Sequence, residues 1–402
     1  MSGRPILTTV FGKIVARTLL IVTVVALTLV LAEVGVRIWK PVPDDRLVPF
    51  AYNGQRVERI ADEDTYIQFD RELGWIIPRA TTKRDDGMVF RTNRARMRAD
   101  REFPTEPPEG RLRIAAFGDS FTHCNEVSQK DCWATRLEEA WPNTDVLNFG
   151  VPGYGPDQAW LRYQRDGRQY RPCIVFIGFF VEDIDRVVNR FRPFTDPDDS
   201  VMLSKPRFML EGDGLRLLPN PTTDPRQMAD PVHVERTLGP DDAWYFPGTF
   251  VPGPFDGFSL VRLAKTAGYQ RTRTALSRTP LTYPLYDQQG EAYQITGRIL
   301  IQFAEQVKAD GAAPVVIVFP SKRDLLARQV QPSAHQPLVD WLQQAGVPTL
   351  DFTDEFVLES SKQGMETLFA AGSHFSPLGN SIVAARLAQA VPGLVAPTCK
   401  TP

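Results

Sequence analysis

Short apolar runs alternate with amphipathic segments along two stretches of the chain. Five buried strands are predicted, at RLRIAAFG (111–118), DVLNFG (145–150), CIVFIGFF (173–180), APVVIVFP (313–320) and VPTLDFT (347–353). Helices are predicted around them, at DCWATRLEEAW (131–141), GPDQAWLRYQRDGRQY (155–170), EAYQITGRILIQFAEQVKAD (291–310), QPLVDWLQQAG (336–346) and PLGNSIVAARLAQAV (377–391). Strands that alternate with helices indicate an α/β fold with a parallel sheet covered on both faces.

The N-terminal part follows a different pattern. The run TLLIVTVVALTLVLA (18–32) carries no charge, and extending it from Ile14 to Val36 gives a helix of about 35 Å. A helix of that length can cross a bilayer, so we predict an anchor in the lipid bilayer through residues 14–38. No small-x-small cleavage site closes the run, which favours an uncleaved anchor over a signal peptide. Three basic residues precede it and predict a cytoplasmic N-terminus: Arg4, Lys13 and Arg17.

The remaining segments complete the predicted organisation. Residues 40–110 are polar and irregular, apart from the apolar ELGWIIP. KPRFMLEGDGLRLLPNP (205–221) predicts a β-hairpin that turns at Gly212–Gly214, within an insertion that folds over the sheet's edge. The predicted units are 1–40 (tail and anchor), 41–110 (N-terminal extension), 111–194 (first part of the α/β domain), 195–287 (insertion) and 288–395 (second part).

Composition excludes some classes of function. The net charge of −2 disfavours a nucleic-acid partner, since such binders carry a basic excess. No CxxC or HExxH spacing occurs, so we predict no metal and no cofactor. Cys124 and Cys132 flank the loop after Ser120, and they either pair in an oxidising compartment or stay free. Cys173 is predicted to be simply buried, and Cys399 lies in the tail.

Polar groups follow the predicted strands at their carboxyl ends, where ligands bind in open parallel sheets. Ser120 follows the first strand, and a serine there needs a nearby base to act as a nucleophile. His374 precedes the last helix at the same edge and is favoured, with His123 second by proximity. Taken alone, the turn favours a polar helix cap as the role of Ser120, and Lys322 either lines the site or caps a helix.

Three motifs in this order resemble the SGNH, or GDSL, hydrolases, namely GDSFT, NFGVPGYG and SHFSPLGN. The runs LGWIIP and VVIVFPSKRDLL also resemble membrane-anchored bacterial members, and similar domains occur in the alginate O-acetyltransferase group. The resemblance implies a flavodoxin-like three-layer α/β/α fold, in a bacterial inner-membrane protein whose catalytic domain is periplasmic or extracellular. It implies Ser120 as nucleophile and oxyanion donor, Gly153 as second donor (with Gly150 as its competitor) and His374 as base.

Two places depart from the family's pattern. The third block usually supplies an asparagine donor, and here it falls on Glu182 or Asp183. An ionised carboxylate only accepts hydrogen bonds. That group is therefore protonated, or the oxyanion hole has two donors, or Asn189 reaches in. The acid that usually precedes the histidine is replaced by Ala371 and Gly372, so a backbone carbonyl or a distant acid orients His374. The candidate acids are Asp351, Asp354 and Glu366.

Two functions from different classes follow. The first is a serine esterase or O-acyltransferase that acts on an O-acyl ester, with a polysaccharide as a plausible substrate. The second is a catalytically degraded scaffold that binds carbohydrate or takes part in assembly. The insertion is a candidate acceptor surface, because Trp244, Tyr245 and Phe246 could stack on sugars, although aromatic side chains more often pack in a core.

Overall fold

The computed structural model describes residues 5–39, 54–63, 65–85, 87–195, 201–248, 251, 253–276 and 283–395. Contacts divide the chain into two units. One comprises residues 1–52 and 246–272, and the other comprises residues 53–245 and 273–402. The second unit contains the predicted α/β domain.

The central sheet has five parallel strands in the order β5-β4-β3-β1-β2. They are β1 (Leu112–Phe117), β2 (Thr144–Asn148), β3 (Ile174–Phe180), β4 (Ala313–Phe319) and β5 (Thr349–Asp351). In the register, Ile114 lies opposite both Val146 and Ile174. This order, with β1 between β2 and β3, is the flavodoxin-like arrangement. The predicted fold class and all five predicted strands are confirmed.

Helices cover both faces of the sheet. Alternate side chains of β1, such as Ile114, join a core with Trp133 and Leu387, while Phe117 points to the opposite face and contacts Tyr163. The α-helices of the described chain are α1 (Pro5–Trp39), α2 (Gly54–Ala61), α3 (Ser120–His123), α4 (Trp133–Ala140), α5 (Pro156–Arg162), α6 (Arg192–Thr195), α7 (Pro231–His233), α8 (Ser259–Leu276), α9 (Glu291–Ala309), α10 (Lys322–Arg328), α11 (Gln336–Gln344), α12 (Thr353–Gln363), α13 (Met365–Leu368) and α14 (Pro377–Leu394).

The N-terminal extension is more regular than the sequence pattern predicts. Beside α2, it forms two antiparallel hairpins, Gln68–Asp70 with Gly74–Ile76 and Thr82–Asp85 with Met88–Arg91. These strands are too short, at three or four residues, for a clear alternation of polar and apolar positions. The hairpin predicted in the insertion is confirmed, as Arg207–Glu211 with Gly214–Leu218.

The first unit contains α1, and its segment Phe11–Trp39 is long and apolar enough to cross a membrane. Its mean hydropathy is 2.6, and consecutive side chains such as Leu19, Leu20 and Ile21 are all more than half exposed. Within the same unit, the Glu33 carboxylate accepts hydrogen bonds from the first two backbone N–H groups of α8. Glu33 also accepts a hydrogen bond from Arg37 at 2.7 Å, so both charged side chains near the end of α1 are paired.

Candidate active site

Ser120 lies at the carboxyl edge of the sheet, where the chain turns from β1 into α3. A side chain at Gly118 would collide with the Thr122 hydroxyl and would lie 2.8 Å from the Gly178 carbonyl oxygen, so only glycine fits this turn. The Asp119 carboxylate caps α3 by accepting the N–H of Phe121 at 2.9 Å and that of Thr122 at 3.4 Å. The cap fixes the first turn of α3 and hence the orientation of Ser120.

Three side chains form a continuous chain of hydrogen bonds at this edge. The Ser120 Oγ lies 2.9 Å from His374 Nε2, and His374 Nδ1 lies 2.6 Å from Glu126 Oε2. Glu126 also accepts the backbone N–H groups of Gly372 at 2.6 Å and of His374 at 3.1 Å. The hydrogen bond from His374 is the largest influence on Glu126 and lowers the pKa of its carboxyl. We call Ser120, His374 and Glu126 the relay.

Glu126 corrects the expectation about the acid. The three candidates are bonded elsewhere: Asp351 lies 3.0 Å from His335, Asp354 3.1 Å from Arg328, and Glu366 2.5 Å from Lys322. The orienting carboxylate comes instead from the loop after α3, six residues beyond Ser120. A signal was present in the sequence, because Glu126 lies between the two cysteines that follow the serine.

His123, the second candidate base, does not contact Ser120 Oγ. It is buried, with the Tyr66 hydroxyl 2.8 Å from Nε2 and the Asn125 Oδ1 2.8 Å from Nδ1. Burial lowers the pKa of His123 well below its usual range, so the ring is neutral. With both ring nitrogens engaged, His123 supports the wall of the site.

The two candidate oxyanion donors in the glycine-rich turn after β2 differ in whether their N–H groups are already hydrogen-bonded. The Gly150 N–H already donates to the Asn148 side chain at 2.9 Å. Gly153 has a φ of +84°, and its N–H has no acceptor within the described part of the chain. The N–H of Ser120, the first in α3, likewise lacks an acceptor among the described residues, since Asp119 caps the two that follow. Gly153 is therefore the better match.

Asp183, one of the two candidates for the third-block position, belongs to a buried charge cluster next to Ser120. Arg186 lies 2.7 Å from Asp183 Oδ1 and 3.6 Å from Asp119 Oδ2, and the latter oxygen is 3.3 Å from Ser120 Oγ. Burial raises the pKa of Asp183 well above its usual range and raises that of Asp119 too. One arginine thus faces two carboxylates, and this favours retention of a proton in the cluster.

Neighbouring candidates are engaged elsewhere. The Asn189 side chain donates to the Phe191 carbonyl at 2.8 Å and to Asp242 at 3.0 Å, so it does not reach the nucleophile. At Glu182 the backbone carbonyl accepts the Tyr283 hydroxyl at 3.2 Å, and the residue is half-buried. Lys322 is bonded to Glu366 at 2.5 Å. Within the described residues, no group of three or more His, Cys, Asp or Glu side chains could hold a metal ion.

A cavity of about 370 Å³ adjoins the relay. The N-terminal extension supplies most of its lining, including Tyr66, Lys83 and Phe90, and Glu126 and Pro152 complete it. Its wall therefore joins the relay acid to the turn that carries Gly153. A larger cavity of about 780 Å³ is lined by residues such as Leu73, Pro206 and Leu217, and none of the relay residues borders it.

The aromatic side chains of the insertion are packed rather than displayed. Trp244 is 5% exposed, and its indole N–H donates to the Asp185 carbonyl at 3.3 Å. The Tyr245 ring contacts Phe194 at a centroid distance of 5.4 Å. Within the first unit, the Phe246 ring lies against Gly268. All three aromatic side chains therefore pack against neighbouring residues of the protein.

The cysteines are oxidised. Cys124 and Cys132 form a disulfide with a Cα–Cα distance of 5.4 Å, which decides between the two alternatives left open by the sequence. Cys173 is also disulfide-bonded, so the expectation that it is simply buried was wrong. The Cys399 position lies outside the described residues.

No protein-family model and no curated protein matches the sequence. Solved structures similar to this chain include a GDSL-family lipolytic protein from Veillonella parvula (10% identity, TM-score 0.36, covering 69% of this chain and 97% of that one). An acetylxylan esterase from Geobacillus stearothermophilus matches at 11% identity and a TM-score of 0.35, covering 70% of this chain and 95% of that one. An esterase active on acetylated mannans matches at 12% identity and a TM-score of 0.36, covering 74% of this chain and 53% of that one. At these TM-scores the likenesses carry no argument about activity, which has to come from the site.

Proposed function

We propose that this protein is a membrane-anchored serine esterase that acts on O-acyl esters through Ser120, His374 and Glu126. The observation that carries the proposal is the relay, with its distances of 2.9 Å from serine to histidine and 2.6 Å from histidine to carboxylate. A nucleophile, a base within hydrogen-bond reach and a group that orients the base are the parts that ester cleavage needs.

In the proposed mechanism, Glu126 accepts a hydrogen bond from Nδ1–H of His374, which keeps its proton, so that the Nε2 lone pair faces Ser120. His374 takes the hydroxyl proton as Ser120 attacks the acyl carbon, and later returns it to the leaving alkoxide. The N–H groups of Ser120 and Gly153 stabilise the oxyanion, and loss of one such donor costs about 3 kcal/mol. The acyl group then passes to water, which gives an esterase, or to a sugar hydroxyl, which gives an O-acyltransferase.

The cavity beside Glu126 and Pro152 is the proposed cleft for the non-reacting part of the ester. Its lining mixes aromatic and aliphatic side chains with the cations Arg59 and Lys83, as is common in ligand sites. We infer a polar substrate such as an acylated glycan. Acetylated mannan and xylan, on which two of the similar esterases act, are the glycans to test first.

We further propose that α1 anchors the protein in the bacterial inner membrane, with its N-terminus in the cytoplasm and the catalytic domain outside. Apolar side chains exposed on all sides of α1 support a lipid environment. The disulfide-bonded cysteines fit an oxidising compartment.

A serine-reactive fluorophosphonate probe on the full-length protein in detergent tests the proposal. Wild type should be labelled, Ser120→Ala should not be, and His374→Ala should be labelled more slowly. Acetate release from p-nitrophenyl acetate and from acetylated xylan and mannan then measures hydrolysis. Addition of an unacetylated glycan measures transfer. The proposal is refuted if folded wild-type protein neither reacts with the probe nor releases acetate.

The competing hypothesis of a degraded scaffold relied on two gaps in the family's pattern. The first gap was the missing acid for His374, and Glu126 fills it, which supports the enzyme hypothesis. The second gap is the carboxylate at the asparagine position. Glu182→Asn and Asp183→Asn, made separately, test it, because the correct position should gain a donor to the oxyanion and raise turnover. If neither changes turnover, the third block lies elsewhere.

A further inference from the structure

The loop that carries Glu126 has an unfavourable backbone conformation. Cys124 and Glu126 both have left-handed backbone angles, with φ of 63° and 65°. Residues with a Cβ adopt this region rarely, and they keep it only where surrounding contacts enforce it. The position of the relay acid therefore depends on the groups that hold this loop.

Arg98 is the first of these groups, and it comes from the N-terminal extension. Its Nη1 donates to the Cys124 carbonyl at 2.6 Å and its Nη2 donates to the Val127 carbonyl at 2.7 Å. The guanidinium thus bridges two carbonyls that lie on either side of Glu126. Two parallel N–H donors in a rigid plane fix both distance and orientation, which an ammonium group does not.

The surroundings of Arg98 offer little other reason for its burial. The residue is 2% exposed, and its only other polar side-chain contacts among the described residues are long ones, with Gln129 Oε1 at 3.4 Å and His123 Nδ1 at 3.5 Å. Burial lowers the pKa of Arg98 to about 10, so it stays charged at neutral pH. The Phe90 ring covers one face at 4.4 Å. Its strongest hydrogen bonds therefore go to the Glu126 loop.

The disulfide is the second group. Cys124–Cys132 closes a loop with a sequence separation of eight residues, and Glu126 lies inside it. Beyond Cys132 the chain enters α4 at the fully buried Trp133, whose indole N–H donates to the Phe121 carbonyl at 3.2 Å. The crosslink ties the loop to α3 at one end and to the core at the other, which restricts its freedom.

We propose that Arg98 and the Cys124–Cys132 disulfide are positioning elements that hold Glu126 on His374, so that turnover depends on both. The inference rests on the proposed function, which gives Glu126 its role. Neither element touches the reacting atoms. It follows that a dithiol reductant, which gives two electrons and two protons to the disulfide and itself becomes a disulfide, lowers turnover reversibly.

The kinetic test uses the full-length chain in detergent with p-nitrophenyl acetate. Arg98→Met should lower kcat by about 100-fold with little change in KM, because a misplacement of about 1 Å in a catalytic group costs that much. In a Glu126→Gln background the same change should cost less than about threefold, since the relay is already broken. Replacement of both Cys124 and Cys132 by alanine should behave similarly and should abolish the response to reductant, whereas Cys173→Ala, which removes the other disulfide, should leave that response in place.

Arg113→Met is the matched control. The Arg113 side chain is fully buried and also donates to backbone carbonyls, those of Pro104, Thr105 and Tyr170. It contacts no part of the Glu126 loop, so its removal should reduce stability without the selective loss of kcat. Arg98→Lys is the second variant if Arg98→Met does not fold.

Hydrogen exchange supplies a readout that needs no activity. The N–H groups of Gly372 and His374 both donate to the Glu126 carboxylate. If Arg98 or the disulfide positions Glu126, then their removal should speed exchange at these two amides, while Arg113→Met should not. A structural role without positioning would leave these amides unchanged relative to the rest of the domain.

The outcomes separate the inference from the proposed function. An active wild type whose Arg98 and cysteine variants keep kcat and keep both amides protected overturns the inference and leaves the esterase. An Arg98→Met loss of equal size in the Glu126→Gln background also overturns it. If wild type neither turns over nor reacts with the fluorophosphonate probe, then the proposed function fails, and exchange at Gly372 and His374 alone decides the positioning.

Discussion

Replacement of Glu126 by glutamine tests the relay most directly. Three N–H groups converge on its carboxylate: Gly372 N–H on Oε1, and the backbone N–H and Nδ1 of His374 on Oε2. An amide has one acceptor oxygen and one donor NH₂ group. In either orientation, the NH₂ group of glutamine therefore faces an N–H donor, and His374 loses the negative charge that stabilises its protonated form.

The expected magnitude follows from this geometry. If the amide nitrogen lies toward His374, then the ring is driven to the wrong tautomer, and in a serine protease that change lowers kcat by about 10⁴. If it lies toward Gly372, then one N–H loses its acceptor, which costs about 1–3 kcal/mol of stability. We expect kcat for p-nitrophenyl acetate to fall by about 10³–10⁴, equivalent to about 4–5.5 kcal/mol of activation free energy.

The pH dependence of stability gives a second measurement on the same variant. The hydrogen bond from His374 lowers the pKa of Glu126 below 4.5 in the folded state. A depressed pKa means that this contribution to stability is complete above pH 4.5 and is lost as the pH falls through the folded-state pKa. The melting temperature of Glu126→Gln should therefore fall less steeply than that of wild type below pH 4.5.

Asp351→Asn and Glu366→Gln serve as controls for the loss of an acid, because neither carboxylate reaches His374. Both variants should keep wild-type kcat to within about twofold, as expected for sites that do not share contacts with the relay. A folded Glu126→Gln variant with kcat within about threefold of wild type would refute the assignment of Glu126 to the relay.

Three further predictions concern the rest of the site and the anchor. Burial raises the pKa of Asp183, so its ionised carboxylate destabilises the folded state. This destabilisation is absent below pH 3.8 and grows as the pH rises toward the folded-state pKa. Asp183→Asn should therefore raise the melting temperature at pH 7, and the gain should vanish near pH 4. Gly150→Ala should cost more stability in a thermal melt than Gly153→Ala, because a Cβ at Gly150 collides with the His123 backbone, whereas one at Gly153 meets only side chains, the nearest at 3.4 Å, and costs the strain of an alanine at φ +84°. Equal losses would contradict this. An alkaline phosphatase fusion at the C-terminus should be active outside the cytoplasm, and activity of a cytoplasm-dependent reporter there would overturn the predicted topology.

Much of the architecture is determined by local pattern. The three central strands, β1, β3 and β4, are near-continuous apolar runs because they are buried on both faces, and the helices between the five strands favour a parallel sheet. Ser120 and His374 follow from this, since the carboxyl ends of parallel strands share one edge. The helix α1 is likewise evident from composition, because its segment Phe11–Trp39 is a long run of mostly apolar residues.

The origin of the acid was decided only by the tertiary structure. Glu126 is 248 residues from His374, and its loop points toward the histidine because of two left-handed residues, a disulfide and the buried Arg98 from a separate segment. Periodicity reports which face of an element is buried, but not where a loop side chain points. The short hairpins of the extension were missed for a related reason, since they are stabilised by contacts with the domain rather than by their own pattern. The sequence by itself therefore determines the sheet and brings Ser120 and His374 to one edge of it, while the group that orients His374 depends on long-range packing.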